Sequence, residues 1–198
     1  MDTLERSRFL VPRRARSDGA LVAASRPMIW APPADPKTRR LHPDSRMAIS
    51  ASGLYVLTFK DMWDNTDFVF DFLNDTVKLA LFTNTITPNF SSDTAYGVSP
   101  YNANEVSGTG YTAGGATLAL KTVSESPTGT LMIDAADPSW TTATFSSARG
   151  GLMWDDTATS PADAAICLIN FGADYGVTAG TFTVQLASGG IWTIDLTP

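Results

Sequence analysis

The chain has 198 residues, of which 43% are apolar and only 17% are charged, and its formal net charge is −6. Its single cysteine excludes a disulfide framework within the chain and a multi-cysteine zinc site, and its single histidine excludes two-histidine metal motifs. A membrane-spanning helix needs a run of about 18 apolar residues, and no apolar run in the chain reaches that length. The composition favours a hydroxyl-rich all-β protein that has no cofactor and little material for histidine-based catalysis.

Charge divides the chain into two parts. Residues 1–46 contain ten basic and five acidic residues, a net charge of +5, whereas residues 47–198 contain four basic and fifteen acidic residues, a net charge of −11. Half of the twelve prolines also lie in residues 1–46, where they disfavour helix and favour extended backbone. We therefore predict an extended basic arm at 1–46, with a short helix at most near residues 3–10, and a separate domain at 47–198.

The arm is the predicted partner-binding part of the protein. An acidic protein surface is a better partner than nucleic acid, because a body of charge −11 repels phosphate. Two plainer interpretations stay open: a solvated tail, or an upstream extension of a protein that starts at Met47. The residues predicted to contact a partner are Arg13, Arg14, Arg16, Trp30, Arg39 and Arg40.

In the body, residues 61–74 form the only predicted helix. Asp64 or Thr66 is its candidate cap, and its apolar residues are dense, but Phe68, Phe70 and Phe72 also fit the period of a strand. Short apolar runs bounded by Gly, Asn, Asp and Pro predict strands elsewhere, and Gly114-Gly115 and Gly189-Gly190 predict hairpin turns. The predicted strands are 76–82, 105–112, 116–123, 130–134, 140–145, 150–154, 164–171, 181–187 and 191–197.

This order of elements predicts the fold class. A parallel sheet requires crossover helices between its strands, and the body lacks them. We therefore predict an antiparallel β-sandwich of eight or nine strands with one short helix, preceded by the extended arm. The apolar run at 164–171 is the best candidate for a central strand.

Acidic residues give two candidate sites, each with a plainer interpretation. Asp61, Asp64, Asp67 and Asp71 would share one face of a helix, but no glycine or closing glutamate completes a calcium loop. Asp61 and Asp64 are better explained as acids near the start of a helix, where the helix dipole favours them. The adjacent pair at 155–156 is predicted to be a solvated turn rather than an acid–base pair.

Other candidate residues also have structural interpretations. Tyr96, Tyr101 and Tyr111 could form a sugar-binding strip, but core packing is the default for such aromatic residues. Cys167 lies within an apolar run and is predicted to be a buried, inert thiol. His42 lies in the arm without a set of ligands around it. The segment 107–110 lacks the lysine and helix of a phosphate loop, so a flexible strand or bulge is favoured.

One series of motifs resembles virion structural proteins of tailed phages, of β-sandwich type. The resemblance covers about residues 50–198 and excludes the arm. It is carried by Val77-Lys78-Leu79-Ala80-Leu81, Thr87-Pro88-Asn89, Asn104-Glu105-Val106-Ser107-Gly108-Thr109-Gly110-Tyr111-Thr112-Ala113-Gly114-Gly115, Asp137-Pro138-Ser139-Trp140-Thr141-Thr142-Ala143-Thr144, Asn170-Phe171-Gly172-Ala173-Asp174 and Gly180-Thr181-Phe182-Thr183-Val184.

The resemblance implies a non-enzymatic protein of the virion, assembled in the host cytoplasm. Such proteins are head decoration, minor capsid or tail-associated components, and the resemblance transfers no catalytic, metal or cofactor residues. It implies the major capsid protein or other virion proteins as partners, and further copies of this chain are a second candidate. Nucleic acid is disfavoured by the acidic body, and a membrane by the lack of a long apolar run. The alternative within the same fold is a tail-associated or fibre module that binds a host surface.

Overall fold

A computed structural model describes residues 7–9, 48–64, 68–125 and 129–196. Within these residues no helix is both long and apolar enough to cross a membrane. The elements of this part of the chain are β1 (Ser7–Phe9), β2 (Gly53–Leu54), α1 (Val56–Asp64), β3 (Val77–Phe82), β4 (Ala116–Thr117), β5 (Thr122–Glu125), β6 (Thr130–Asp134), β7 (Ser139–Thr159), β8 (Ala162–Thr183) and β9 (Trp192–Asp195).

The strands form two antiparallel sheets. One sheet has the order β1-β9-β6-β5 and the other has the order β2-β8-β7-β3-β4. The larger hydrophobic cluster includes residues of both sheets, such as Ile133 and Trp192 of the first and Leu79 and Met153 of the second. The predicted all-β, sandwich-like fold with one short helix is therefore confirmed. So is the central position of the 164–171 run, because it lies in β8 between β7 and β2.

The five-stranded sheet is buried on both faces. Val77, Leu79 and Leu81 belong to the cluster between the sheets, whereas Ala80 and Phe82 belong to a second cluster with Tyr55, Tyr101, Trp154 and Leu168. Side chains of a strand alternate between faces, so a strand covered on both sides must be apolar at successive positions. The second face is covered by Ile49 and Tyr55, which lie on either side of β2, and by residues 86–101, which contain no regular strand.

Strands β7 and β8 form one long hairpin, where the sequence predicted four shorter strands. They pair from Ser139↔Thr183 to Thr159↔Ala162, with six register shifts along the way. Gly150 and Gly151, which were predicted to begin a new strand, lie inside β7. At both positions an added Cβ would fall close to a packed neighbour, so these glycines permit close packing rather than a chain break.

The predicted helix at 61–74 is displaced in the structure. Helix α1 ends at Asp64, and residues 68–70 lie outside any helix or strand. Further on, the Asp71 carboxylate accepts hydrogen bonds from the backbone N–H groups of Leu73 and Asn74. Such local bonds offer the backbone an alternative to helix, and here they close a turn before β3.

Three other predicted elements are also wrong in detail. Residues 105–112 form a loop rather than a strand, with isolated bridges from Glu105 to Phe82 and from Thr109 to Thr144. The predicted hairpin at Gly189-Gly190 does not form, because β9 pairs with β6 and β1 rather than with the segment that precedes it. Residues 7–9 form strand β1, where a short helix was conceivable.

Candidate functional site

The predicted partner-binding residues lie outside the described part of the chain. These are Arg13, Arg14, Arg16, Trp30, Arg39 and Arg40, and His42 lies outside it as well. The described arm consists of β1, which pairs antiparallel with β9 from Ser7↔Ile194 to Phe9↔Trp192. The described residues of the basic arm therefore lie at the edge of the four-stranded sheet.

The Glu105–Gly115 loop, which carries one motif of the resemblance, is organised around one carboxylate. Glu105 Oε1 accepts hydrogen bonds from the Tyr111 hydroxyl at 2.7 Å and the Gly114 N–H at 2.8 Å, and Oε2 accepts one from the Tyr96 hydroxyl at 2.8 Å. The Tyr111 oxygen in turn accepts the Leu81 N–H of β3. The carboxylate therefore ties the loop to the five-stranded sheet and has a structural role.

Two glycines of this loop lie directly against neighbouring backbone. A Cβ added at Gly108 would fall 2.1 Å from the Thr144 carbonyl oxygen, and one at Gly115 would fall 1.8 Å from the Leu79 carbonyl oxygen. Both residues also have positive φ, +156° and +81°. The Gly-rich motif is thus explained by close packing of the loop on β7 and β3 rather than by phosphate binding.

The three candidate tyrosines do not form an exposed strip. Tyr101 is buried, and its hydroxyl is hydrogen-bonded to the hydroxyl of Tyr55. Tyr96 stacks on Trp154 with ring centroids 4.3 Å apart, and Tyr111 stacks on Trp140 at 5.8 Å. Burial, with the neighbouring Glu105 carboxylate, raises the pKa of both Tyr96 and Tyr111 above the ordinary value. Packing is therefore their observed role.

The candidate calcium ligands are separated by the structure. Asp61 and Asp64 lie on α1, where Lys60 pairs with them at 3.4 Å and 2.5 Å. Asp71 instead accepts hydrogen bonds within its own turn, and these bonds lower the pKa of its carboxyl. Asp67 lies outside the described residues. Among the described residues, no group of three or more His, Cys, Asp or Glu side chains could hold a metal ion.

The acid pair at 155–156 differs from the predicted solvated turn. Both residues lie in β7, and Asp155 is fully buried, whereas Asp156 is exposed and pairs with Lys78 at 2.7 Å. Asp155 Oδ1 accepts the Thr157 N–H at 2.8 Å, but Oδ2 has no hydrogen-bond partner among the described residues. A buried, unsatisfied carboxylate oxygen is unusual and marks a candidate site.

Burial raises the pKa of Asp155 to about 6, and the nearby Asp75 carboxylate acts in the same direction. The unfolded value is about 3.9, so between pH 4 and 6 the folded state binds more protons than the unfolded state. This group's contribution to stability is therefore present at pH 4 and lost as the pH rises through 6.

Replacing Asp155 by asparagine should remove this pH dependence. The amide oxygen can still accept the Thr157 N–H, while the buried charge is gone. We expect Asp155→Asn to gain unfolding free energy relative to the parent as the pH rises from 4 to 7, measured by urea denaturation at each pH. Asp156→Asn is the matched control, and an equal gain for both variants would contradict the assignment.

Cys167 is buried in β8, as predicted. Burial raises the pKa of its thiol well above the ordinary range, so thiolate is not available at neutral pH.

Comparisons of the chain with protein-family models, with curated proteins and with solved structures found no significant match. Its function is therefore inferred from its own charges, contacts and exposed groups.

Proposed function

We propose that this protein is a non-enzymatic structural component of a phage virion that decorates or cements the capsid. The observation that carries the proposal is the division of charge, +5 in residues 1–46 against −11 in residues 47–198. A basic segment on an acidic body provides a way for neighbouring subunits to attract one another. The motif resemblance over residues 50–198 supplies the class of assembly.

The position of β1 supports a role for the arm in subunit contact. Strand β1 pairs with β9 of its own chain at the edge of the four-stranded sheet, and addition of a strand at a sheet edge is also a common way for one chain to join another. The sequence places 38 residues between Phe9 and Ala48. This length of chain, rich in arginine and proline, can reach a neighbouring surface without a core of its own.

The body also offers an apolar contact. Trp63 on α1 is 77% exposed, and Val69 and Leu73 are exposed a few residues further along the chain. Tryptophan is enriched among the residues that dominate protein interfaces. We expect α1 and the segment after it to face a neighbouring virion protein.

Co-sedimentation with purified capsids that lack the protein tests the proposal. The full chain is compared with a variant in which the five arginines of the candidate set are replaced by glutamine, and with a matched variant in which they are replaced by lysine. We expect the full chain and the lysine variant to bind in a salt-dependent way and the glutamine variant to bind much more weakly. Near-UV circular dichroism confirms that all three are folded.

The results of this experiment distinguish binding through the arm from binding through the body, and a head protein from a tail protein. Equal binding of the glutamine variant would show that the arm does not take part in the interaction and would leave the exposed residues Trp63, Val69 and Leu73 as the contact. A chain that binds no capsid in any form would sink the head assignment. The tail-associated or fibre alternative would then be favoured, with attachment to host cells as its test.

A further inference from the structure

A cavity of about 150 Å³ opens where the end of β7 meets the segment before β3. Its floor is buried, with Asp155 fully buried and Phe68 2% exposed, while Val69 and the last residues of β7 leave its rim open to solvent. The lining residues are Phe68, Val69, Asp75, Asp155, Thr157, Ala158, Thr159 and Ser160.

One carboxylate oxygen of Asp155, which lines this cavity, lacks a hydrogen-bond donor. Its Oδ1 accepts the Thr157 N–H, whereas its Oδ2 has no hydrogen-bond partner among the described residues, and the charged side chain that interacts with it is the Asp75 carboxylate. A buried carboxylate oxygen without a hydrogen bond is strongly disfavoured, and a positively charged donor compensates it best. Asp155 therefore favours a cationic ligand over a neutral or anionic one.

The charges around Asp155 strengthen this preference. Asp75 lines the same cavity and its carboxylate interacts with that of Asp155. Across the sheet, Asp155 faces the apolar residues Val77 and Ala164. The nearby lysines are engaged elsewhere, because Lys78 pairs with Asp156 and Lys121 donates to the backbone oxygen of Asp75.

The shape of the cavity selects among cations. Its volume is several times the about 30 Å³ that one water occupies in the liquid, so it has room for a planar group of several atoms. The Phe68 ring, stacked with Phe70 at 5.7 Å, supplies an aromatic wall. A guanidinium group is flat and weakly hydrated, so it can stack on an aromatic ring. It also has several N–H donors that can bond to carboxylate and hydroxyl oxygens.

We propose that this cavity is a binding site for the guanidinium group of an arginine side chain. The Asp155 and Asp75 carboxylates accept its N–H donors, and the Phe68 ring packs against it. Two sources supply the same chemistry: the nine arginines of residues 1–46, from this chain or a second copy, and an arginine of another protein. The inference stands apart from the virion proposal, because it rests on the cavity alone.

Calorimetric titration of the full chain with L-argininamide tests the site, beside a chain whose nine arginines in residues 1–46 are replaced by glutamine. For a chain whose cavity is not already filled by an arginine of residues 1–46, we expect L-argininamide to bind with a dissociation constant of about 1 mM. Asp155→Asn should weaken binding about tenfold or more, whereas Asp156→Asn should leave it unchanged. L-lysinamide should bind more weakly than L-argininamide, since it lacks the planar fork.

The comparison of the two chains distinguishes the sources. Binding by the arginine-free chain alone means that the arm fills the cavity, and equal binding by both means that the arginine comes from another protein. Absence of binding to both chains would overturn the proposal. So would tighter, Asp155-dependent binding of calcium chloride, because the site would then be a metal site. Urea denaturation confirms that each variant is folded.

Discussion

Replacement of Gly115 by alanine should lower the unfolding free energy by about 4 kcal/mol or more, the range of the most severe single substitutions. The new Cβ would lie 1.8 Å from the Leu79 carbonyl oxygen and 2.6 Å from the Ala80 Cα. Both atoms belong to the backbone of β3, a buried strand paired along its length with β7, and therefore cannot move aside cheaply. The φ of +81° adds strain for any residue with a side chain.

Gly97→Ala is the matched control for this expectation. Gly97 has nearly the same φ, +77°, but an added Cβ would meet no atom within 4 Å. Its substitution should therefore lower the unfolding free energy only by the backbone strain, about 1–2 kcal/mol. Urea denaturation of both variants gives the comparison. Equal losses would show that backbone conformation alone, and not the contact with β3, explains the need for glycine.

The sequence predicted the strands whose pattern is local. Residues 76–82, 130–134 and 191–197 contain β3, β6 and β9 within a few residues, because alternation and flanking turn residues act over short distances. The long hairpin was divided into four strands because its bulges and glycines resemble chain breaks. Only the pairing of β7 with β8 over some twenty residues shows that the backbone continues through them.

The helix shows how tertiary contacts override a local pattern. Helix α1 begins at Val56, directly after Tyr55, which is not a capping residue, and its first turn has no acidic residue, so its start gave no sequence signal. It is anchored instead by the Thr58 hydroxyl, which donates to the Ala165 carbonyl oxygen of β8 at 2.6 Å. A contact between residues 107 positions apart cannot be deduced from either segment alone.

The cavity at Asp155 could not be predicted from the sequence, also because it depends on contacts between distant segments. The sequence shows Asp155 and Asp156 as two equivalent acids, and adjacent acids are usually solvated. Their position on a strand separates them, because neighbouring side chains point to opposite faces. One then pairs with Lys78 and the other lines a cavity with Asp75, eighty residues earlier in the chain. The apolar run before them, residues 151–154, was the available signal that the strand continues into the acids.

Loss of the Glu105 carboxylate should have the second largest effect on stability. Glu105→Ala leaves the Tyr96 and Tyr111 hydroxyls and the Gly114 N–H without their acceptor. Each unsatisfied buried donor costs about 1–3 kcal/mol, so we expect a loss of about 4 kcal/mol in unfolding free energy, because partly exposed donors can recover water. Urea denaturation at pH 7 measures it.

Two further variants identify the cause of that loss. In Glu105→Gln the amide oxygen can still accept from Tyr111 and Gly114, and the amide nitrogen can donate to the Tyr96 oxygen, so the loss should be about 1 kcal/mol. Glu125→Ala removes an exposed acid that accepts one backbone N–H, from Gly129, and should also lose about 1 kcal/mol or less. If Glu105→Gln were as damaging as Glu105→Ala, the negative charge, rather than the number of acceptors, would hold the loop to the sheet. If all three variants lost the same small amount, the carboxylate would be incidental to the loop, and its glycines alone would fix its path across β3 and β7.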